Sequence, residues 1–195
     1  MQPAHSIDLL ILRWINIDLA SPYLDPVMRF FSGNVPWLII GGLLLIWFTK
    51  NFSWTNAIAL IFLILAIVAT DAICHSGIKI ILTRGWGRPC LTVPWVRLAV
   101  EKCGNWFTFP SNHAANSMCL AVFWSFLKRK RSNTRAAVGM ALLVGLSRVY
   151  VGVHYPSDVL TGMAIGGVLG SLFYFLNRRV LGIHTISKID CLPQS

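Results

Sequence analysis

Charged residues are scarce in this sequence, and acids are the scarcest. Only 12% of the 195 residues are charged, with seven Asp or Glu against 17 Lys or Arg, while 55% are hydrophobic. Soluble domains carry about 25% charged residues. So few charges cannot cover a soluble surface, so the composition argues against a soluble domain and predicts a polytopic membrane protein.

Two further absences narrow the possibilities. The five cysteines include no CxxC pair, which argues against a zinc or redox framework. Residues 1–10 lack a basic n-region, and no small-residue cleavage site follows them, so we expect insertion through internal apolar segments. Cys90 and Cys103 share a polar loop, and a disulfide between them would require that loop to face an oxidising compartment.

Five apolar stretches approach the roughly 20 residues that a spanning helix needs; they are 35–50, 54–82, 114–127, 135–153 and 158–176. In the last stretch, Gly162, Gly166 and Gly170 recur every four residues, a spacing that favours close helix packing. Residues 6–34 mix charges with apolar residues at helical spacing, which predicts one or two amphipathic helices on the membrane, or a degenerate sixth span.

We therefore expect an all-α polytopic membrane bundle of five to six transmembrane helices. Its parts are an amphipathic N-terminal segment (1–34), a transmembrane domain (35–178) and a polar C-terminal tail (179–195).

The basic residues are placed as topology signals. With five spans, the run 128–135, Lys50 and the pair Arg178–Arg179 fall on one side, which the positive-inside rule makes cytoplasmic. The net charge of +10 then predicts contact with membrane lipids rather than with nucleic acid. No pattern in the sequence sets an oligomeric state. The loop 83–110 and the junction 150–158 come together on the outer face.

Polar residues suited to phosphate gather on that outer face. Arginine binds phosphate through its planar fork and lysine as a point charge; the cations there are Lys79, Arg84, Arg88 and Arg148. Ser111 adds a hydroxyl, and the amides of residues 111–113 would open the third spanning helix, where a helix N-terminus favours an anion.

Two histidines and an acid complete a reactive set. Asp158 follows His154 by four residues, so in a helix beginning at Pro156 its carboxylate could receive the Nδ1–H of His154 and leave Nε2 as a nucleophile. His113 could protonate a leaving alkoxide. This set predicts phosphoryl transfer through a phosphohistidine, without a metal or cofactor.

Each part also has a structural interpretation. Ser111 after Pro110 suits a helix cap, and a lone His113 suits the membrane interface. Lys79 and Arg84 could be snorkelling side chains. Arg148 lies within an apolar segment, where an ionisable residue indicates function. Asp71 and His75 lie one turn apart on the second span, and we interpret them as a mutual pair outside the site.

These residues resemble the type 2 phosphatidic acid phosphatase superfamily, from about residue 50 to 178. Its motifs are K-x6-RP, PSGH and SR-x5-H-x3-D. The third is matched in full by Ser147, Arg148, His154 and Asp158. The second is Pro110-Ser111-Asn112-His113, with asparagine in place of glycine, and the first is two residues too long between Lys79 and Arg88-Pro89.

The resemblance implies a metal-independent lipid phosphatase with its site at the extracytoplasmic boundary of a bacterial inner membrane. It implies that His154 is the nucleophile, that Asp158 orients it and that His113 is the general acid. The phosphate oxygens would be held by the remaining motif residues: Lys79, Arg88, Ser111, Asn112 and Arg148. Arg84 keeps the spacing from Lys79 of an additional arginine in the family, and we include it among the candidates.

The resemblance implies a lipid phosphate or diphosphate as substrate, and we expect undecaprenyl diphosphate. The alternatives are the 1-phosphate of lipid A, phosphatidylglycerol phosphate and phosphatidate, or transfer of the phosphate to a lipid acceptor. A vanadate-dependent haloperoxidase has a similar site, but those enzymes are soluble. A lipid-binding or structural protein with an inactive site is the remaining rival, and the complete set His113, Arg148, His154 and Asp158 argues against it.

Overall fold

The structure, a computed structural model, describes residues 6–78 and 87–190, and this part of the chain is helical apart from loops and one bridge between Gly87 and Phe107. In chain order the helices are α1 (Ser6–Arg13), α2 (Leu24–Ser32), α3 (Val35–Lys50), α4 (Trp54–Ala72), α5 (Pro89–Thr92), α6 (Asn112–Lys128), α7 (Arg131–Tyr150) and α8 (Pro156–Asp190). Short π-helical turns continue α1 over Trp14–Asp18 and α4 over Ile73–Ile78.

The apolar stretches of the sequence become the long helices, and local residues set several of their ends. The Ser53 hydroxyl accepts from the amide of Asn56 at 3.1 Å, which caps the start of α4. Arg129 adopts a left-handed conformation (φ 51°) and ends α6. The last helix begins at Pro156, as a proline at the first helical position favours.

A stripe of glycines on α8 lets α6 pack against it at backbone distance. A Cβ atom on Gly162 would come within 2.5 Å of the Ser111 carbonyl oxygen, and one on Gly170 within 2.5 Å of the Cys119 carbonyl oxygen. On Gly166 it would overlap the carbonyl of Ala115. The close packing predicted from the four-residue glycine spacing is confirmed, and α6 lies at the centre of the bundle, between α8, α7 and α4.

By length and hydropathy, the described residues contain two or three candidate membrane spans. Trp54–Gly77 and Pro156–Gly182 qualify with mean hydropathies of 2.7 and 1.8, and α2 with α3, bent by 60°, forms a third candidate. At about 1.5 Å per residue, α3 and α6 with 16 and 17 residues are shorter than the hydrocarbon core. Helix α7 carries three arginines. The count of five to six spans therefore remains a prediction.

The N-terminal segment packs on the end of the bundle at which α8 begins. The carboxylate of Asp8 accepts from the amide of Ser157 at 2.9 Å and from its hydroxyl at 2.5 Å, at the start of α8. Asn16 is fully buried and donates to the carbonyls of Arg97 and Tyr150 at 2.8 and 2.7 Å. Residues 6–32 are thus part of the bundle as well as amphipathic. At the other end of the chain, α8 continues past residue 178 to Asp190.

The loop residues 87–110 are fixed to this framework. A disulfide joins Cys90 and Cys103, whose Cα atoms are 6.1 Å apart. Arg97 forms a 2.8 Å ion pair with Asp25 of α2. Gly152 has a φ of +83°, and a Cβ atom there would lie 2.6 Å from the Arg97 carbonyl oxygen, so the junction between α7 and α8 needs a glycine at this point.

Candidate active site

A cavity of about 750 Å³ opens where α3, α4, α6 and α7 meet the loop residues 87–110 and the start of α8. Its wall contains two arginines, three histidines, one carboxylate, four asparagines and three apolar side chains. The lining residues are Asn34, Trp37, Ile67, Asp71, His75, Arg88, Asn105, Phe107, Asn112, His113, Asn116, Arg148 and His154.

His154 is held from both sides of its ring. Arg88 Nη1 lies 3.2 Å from Nε2, and because a guanidinium can only donate, Nε2 must be the unprotonated nitrogen. The proton is then on Nδ1, which lies 3.1 Å from the Thr108 hydroxyl and 3.4 Å from Asp158 Oδ2. This is the tautomer in which Nε2, the nitrogen that faces Arg88, carries a lone pair.

Thr108 lies between the histidine and the acid. Its hydroxyl donates to Asp158 Oδ2 at 2.5 Å and can accept the Nδ1–H of His154. The same carboxylate oxygen accepts the amide of Tyr155 at 2.9 Å. The four-residue spacing of His154 and Asp158 does bring the two together, but the shorter path between them runs through the threonine, which is fully buried.

Arg88 is fixed as firmly as the histidine. Its Nε donates to the Asn105 carbonyl at 2.6 Å and its Nη1 to the Val153 carbonyl at 3.0 Å. Burial lowers the pKa of this guanidinium, and the negative charge of Asp158 partly opposes that shift. A positive charge with so little water around it favours an anion beside it, next to Nε2 of His154.

Ser111 occupies the N-cap position of α6 without capping it. Its side chain makes no capping hydrogen bond, and its Oγ is buried with no partner among the described residues. Its amide donates to the Asp158 carbonyl at 3.0 Å, which joins the start of α6 to α8. A helix cap would require this hydroxyl to accept a hydrogen bond from the first turn of α6, and it accepts none there. Ser111 lies behind the cavity wall.

Arg148 reaches the cavity from α7 and is anchored by the end of α2. Its Nη1 donates to the Ser32 carbonyl at 2.7 Å and to the Ser32 hydroxyl at 2.5 Å, while its Nε is buried with no described partner. Ser32 is itself 4% exposed. The N-terminal segment therefore sets the position of a cation that the sequence places in the site.

Asp71 and His75 both line the cavity, although the sequence placed them outside the site. Asp71 Oδ1 accepts from the side-chain amides of Asn112 and Asn116 at 2.8 and 3.2 Å, and not, within the described residues, from His75. Two amides from α6 thus hold the carboxylate on the cavity side of α4. The amide of Asn112, which we expected on the phosphate, is directed to Asp71.

The structure brings most of the predicted site together. Arg88, Asn112, His113, Arg148 and His154 line one cavity, with the Trp37 ring edge-on to His113 at 6.4 Å between centroids. Asp158 and Ser111 lie fully buried behind its wall.

Lys79 and Arg84 lie outside the described residues. Sequence reasoning missed Thr108, Ser32 and Asn116. Only Asn116 had a sequence signal, because it follows Asn112 by four residues and so shares its helix face.

Comparison with known proteins decides the family, because the PAP2 superfamily pattern matches residues 59–181. The chain belongs to the PAP2 superfamily. It is a membrane lipid phosphatase by that membership, with integral-membrane character in keeping with its apolar helices.

Individual relatives extend the match beyond residues 59–181. A lipid A 4'-phosphatase of Bacteroides thetaiotaomicron is 35% identical over 179 residues, which are 89% of this chain and 78% of that protein. The bacitracin transport permease protein BcrC of Bacillus licheniformis is 32% identical, over 84% of this chain and 76% of its own. The crystal structure of LpxE from Aquifex aeolicus shares the fold, with a TM-score of 0.67 at 24% identity, over 86% of this chain and 94% of that one.

Proposed function

We propose that this PAP2 phosphatase hydrolyses a lipid phosphate through a phosphohistidine on His154, without a metal. The observation that carries the proposal is the hydrogen-bond chain from Arg88 through His154 and Thr108 to Asp158. It fixes the imidazole in the tautomer that leaves a lone pair on Nε2, in contact with a buried cation that suits a phosphoryl oxygen.

The reaction has two steps. Nε2 of His154 attacks phosphorus, the bond from phosphorus to the lipid oxygen breaks, and His113 gives its proton to that oxygen. Water then attacks the phosphorus of the phosphohistidine while His113 takes a proton from that water. The bond between phosphorus and His154 Nε2 breaks, which restores His154 and releases inorganic phosphate. Arg88 and Arg148 stabilise the charge on the phosphoryl oxygens in both steps. Ser111, whose hydroxyl has no described partner behind the cavity wall, stays a candidate for the same role. Lys79 and Arg84 remain candidates for the same role.

We place the site on the extracytoplasmic face of the inner membrane, in a bundle of five to six spans. The disulfide Cys90–Cys103 in the loop that carries Arg88 supports this, because disulfides persist in oxidising compartments. The opposite end of the bundle is cationic, as cytoplasmic ends are. There the ammonium of Lys128 lies 3.8 Å from the centre of the Trp47 ring, as at a membrane interface.

The substrate class is a lipid phosphomonoester or diphosphate. Undecaprenyl diphosphate was the expectation from sequence, whereas the relative that aligns with 89% of the chain is named for the 4'-phosphate of lipid A. Attack of His154 on either substrate would form the same phosphohistidine. Transfer of the phosphoryl group to a lipid acceptor would share the first step and differ only in the acceptor.

The test is phosphate release by the purified protein in detergent with EDTA. Wild type should release phosphate from a lipid phosphate, and His154→Ala should release none. His113→Ala should form the phosphohistidine slowly and turn over at least about a hundredfold more slowly, the low end of what general acid catalysis contributes. Ser171→Ala, on the far part of α8, is the control and should match wild type. Turnover by His154→Ala would contradict the mechanism.

A further inference from the structure

The cavity contains a carboxylate that phosphate chemistry alone does not need. Asp71 is exposed to the cavity near the outer end of α4, and among the described lining residues it is the sole acid. Because a carboxylate can only accept, the amide nitrogens of Asn112 and Asn116 must both face its Oδ1. Asp71 Oδ2 accepts from no described residue, so one fixed acceptor is left for something else in the cavity.

That acceptor cannot serve the phosphate. A phosphoryl group bound by Arg88 and Arg148 offers only acceptor oxygens and negative charge, both of which a carboxylate repels. Asp71 Oδ2 therefore offers an acceptor to a ligand group that donates a hydrogen bond. The volume of about 750 Å³ leaves room for such a group, since cavities of this size hold a ligand far larger than one phosphoryl group.

The cationic part of the cavity wall and the part around Asp71 thus suit a single ligand that has a phosphoryl group at one end and a hydrogen-bond donor at the other. Cations and His154 face the phosphoryl group, while Asp71, supported by two α6 amides, faces whatever is esterified to it. Sugars and polyols carry hydroxyl groups on the carbon atoms adjacent to the carbon that bears the phosphate. A prenyl diphosphate carries none; it offers only hydrocarbon and a second negative phosphate.

We propose that Asp71 is a specificity residue that binds a hydroxyl or ammonium group of the substrate, and that the preferred substrate is a lipid-linked sugar or polyol phosphomonoester. This inference rests on the proposed phosphatase activity and narrows its substrate. Asn112 and Asn116 are positioning residues in this arrangement, because they orient Asp71 through its Oδ1.

The test compares two substrates that differ by one hydroxyl group. 1-Oleoyl-lysophosphatidate carries a hydroxyl next to the phosphate-bearing carbon, and its 2-deoxy analogue does not. Wild type should hydrolyse the hydroxylated substrate with a kcat/KM about tenfold or more above that of the analogue, as expected for one hydrogen bond to a charged group. Farnesyl diphosphate serves as a substrate without any donor.

The variant Asp71→Asn has the same shape and replaces the acceptor oxygen Oδ2 with a donor. Its amide oxygen can still accept from Asn112 and Asn116, so its NH2 group takes the place of Oδ2 and offers a donor where the wild type offers an acceptor. The hydroxyl preference should fall to about one, while kcat/KM for farnesyl diphosphate should stay unchanged or rise. Asn116→Ala, which removes one of the two orienting amides, should reduce the preference about threefold, the range of one ordinary hydrogen bond.

Asp18→Asn is the matched control, because it removes the same charge from an exposed position outside the cavity. It should retain the wild-type preference. An unchanged preference in Asp71→Asn, or equal loss on all three substrates, would overturn the assignment of Asp71. Absence of wild-type activity on every substrate, or activity in His154→Ala, would instead overturn the proposed function.

Discussion

Replacing Thr108 with valine tests the part of the site that sequence reasoning did not foresee. Valine has nearly the shape of threonine and lacks its hydroxyl, so the change removes the link between His154 Nδ1 and Asp158 Oδ2 and leaves the packing in place. The threonine is fully buried, so water cannot replace the hydroxyl without repacking. The direct distance from Nδ1 to Oδ2 is 3.4 Å, too long to supply an equivalent hydrogen bond.

The expected loss of kcat follows from the buried groups that lose the Thr108 hydroxyl as a partner. A buried polar group that loses its partner costs about 1–3 kcal/mol, and at about 1.4 kcal/mol for each tenfold in rate this predicts a kcat lower by about five- to 150-fold. The loss should fall on formation of the phosphohistidine, because His154 would then be held less well in its nucleophilic tautomer. Because the proposed phosphate-binding residues are Arg88 and Arg148, which the change does not touch, KM should change little.

The assay is rapid-quench measurement of phosphoenzyme formation alongside steady-state phosphate release, in EDTA and at saturating substrate. Thr108→Ser keeps the hydroxyl and is the control; its rate should stay within about threefold of wild type, since it loses only a methyl group. A melting temperature for each variant separates lost stability from lost catalysis. A kcat for Thr108→Val within twofold of wild type would refute the reading of Thr108 as part of the catalytic chain.

Two further changes test how the bundle sets the site. Ser32→Ala should lower kcat/KM about fivefold, since Arg148 loses one of its two hydrogen bonds to this residue; Ser32→Thr should retain activity, and equal losses in both variants would contradict the role of the hydroxyl. Gly166→Ala should destabilise the protein by about 1–3 kcal/mol, since its Cβ overlaps the Ala115 carbonyl. Thermal melting in detergent measures this against Gly139→Ala, where a Cβ meets nothing within 4 Å, and equal melting temperatures would contradict the packing argument.

The sequence predicted those features of the fold that depend on residues within one segment. Apolar length located the long helices, the four-residue glycine spacing predicted which face of α8 packs, and the spacing of His154 and Asp158 placed them together. Each of these depends on helical periodicity within one segment. The family motifs then identified residues that a single segment could not connect, such as Arg88 with His154.

Contacts between distant segments could not be read in this way. The partners of Asp71 lie 41 and 45 residues away on α6, so its helical spacing to His75 was the visible pattern and suggested a wrong pairing. Ser32 and Arg148 are 116 residues apart. Helix orientation in the bundle decides such contacts, and no periodicity within either segment records it.

The glycine stripe on α8 has a consequence for how this enzyme can change over evolution. It places the main chain of α8 directly against the main chain of α6. The contact lies near the first turn of α6, which carries His113, and near the start of α8, which follows His154. The separation of His113 from His154, the proposed acid and nucleophile, therefore depends on main-chain atoms that every amino acid shares rather than on the surrounding side chains. Lipid-facing side chains, and cavity side chains such as Asp71, can therefore be replaced while the distance between the two histidines stays the same.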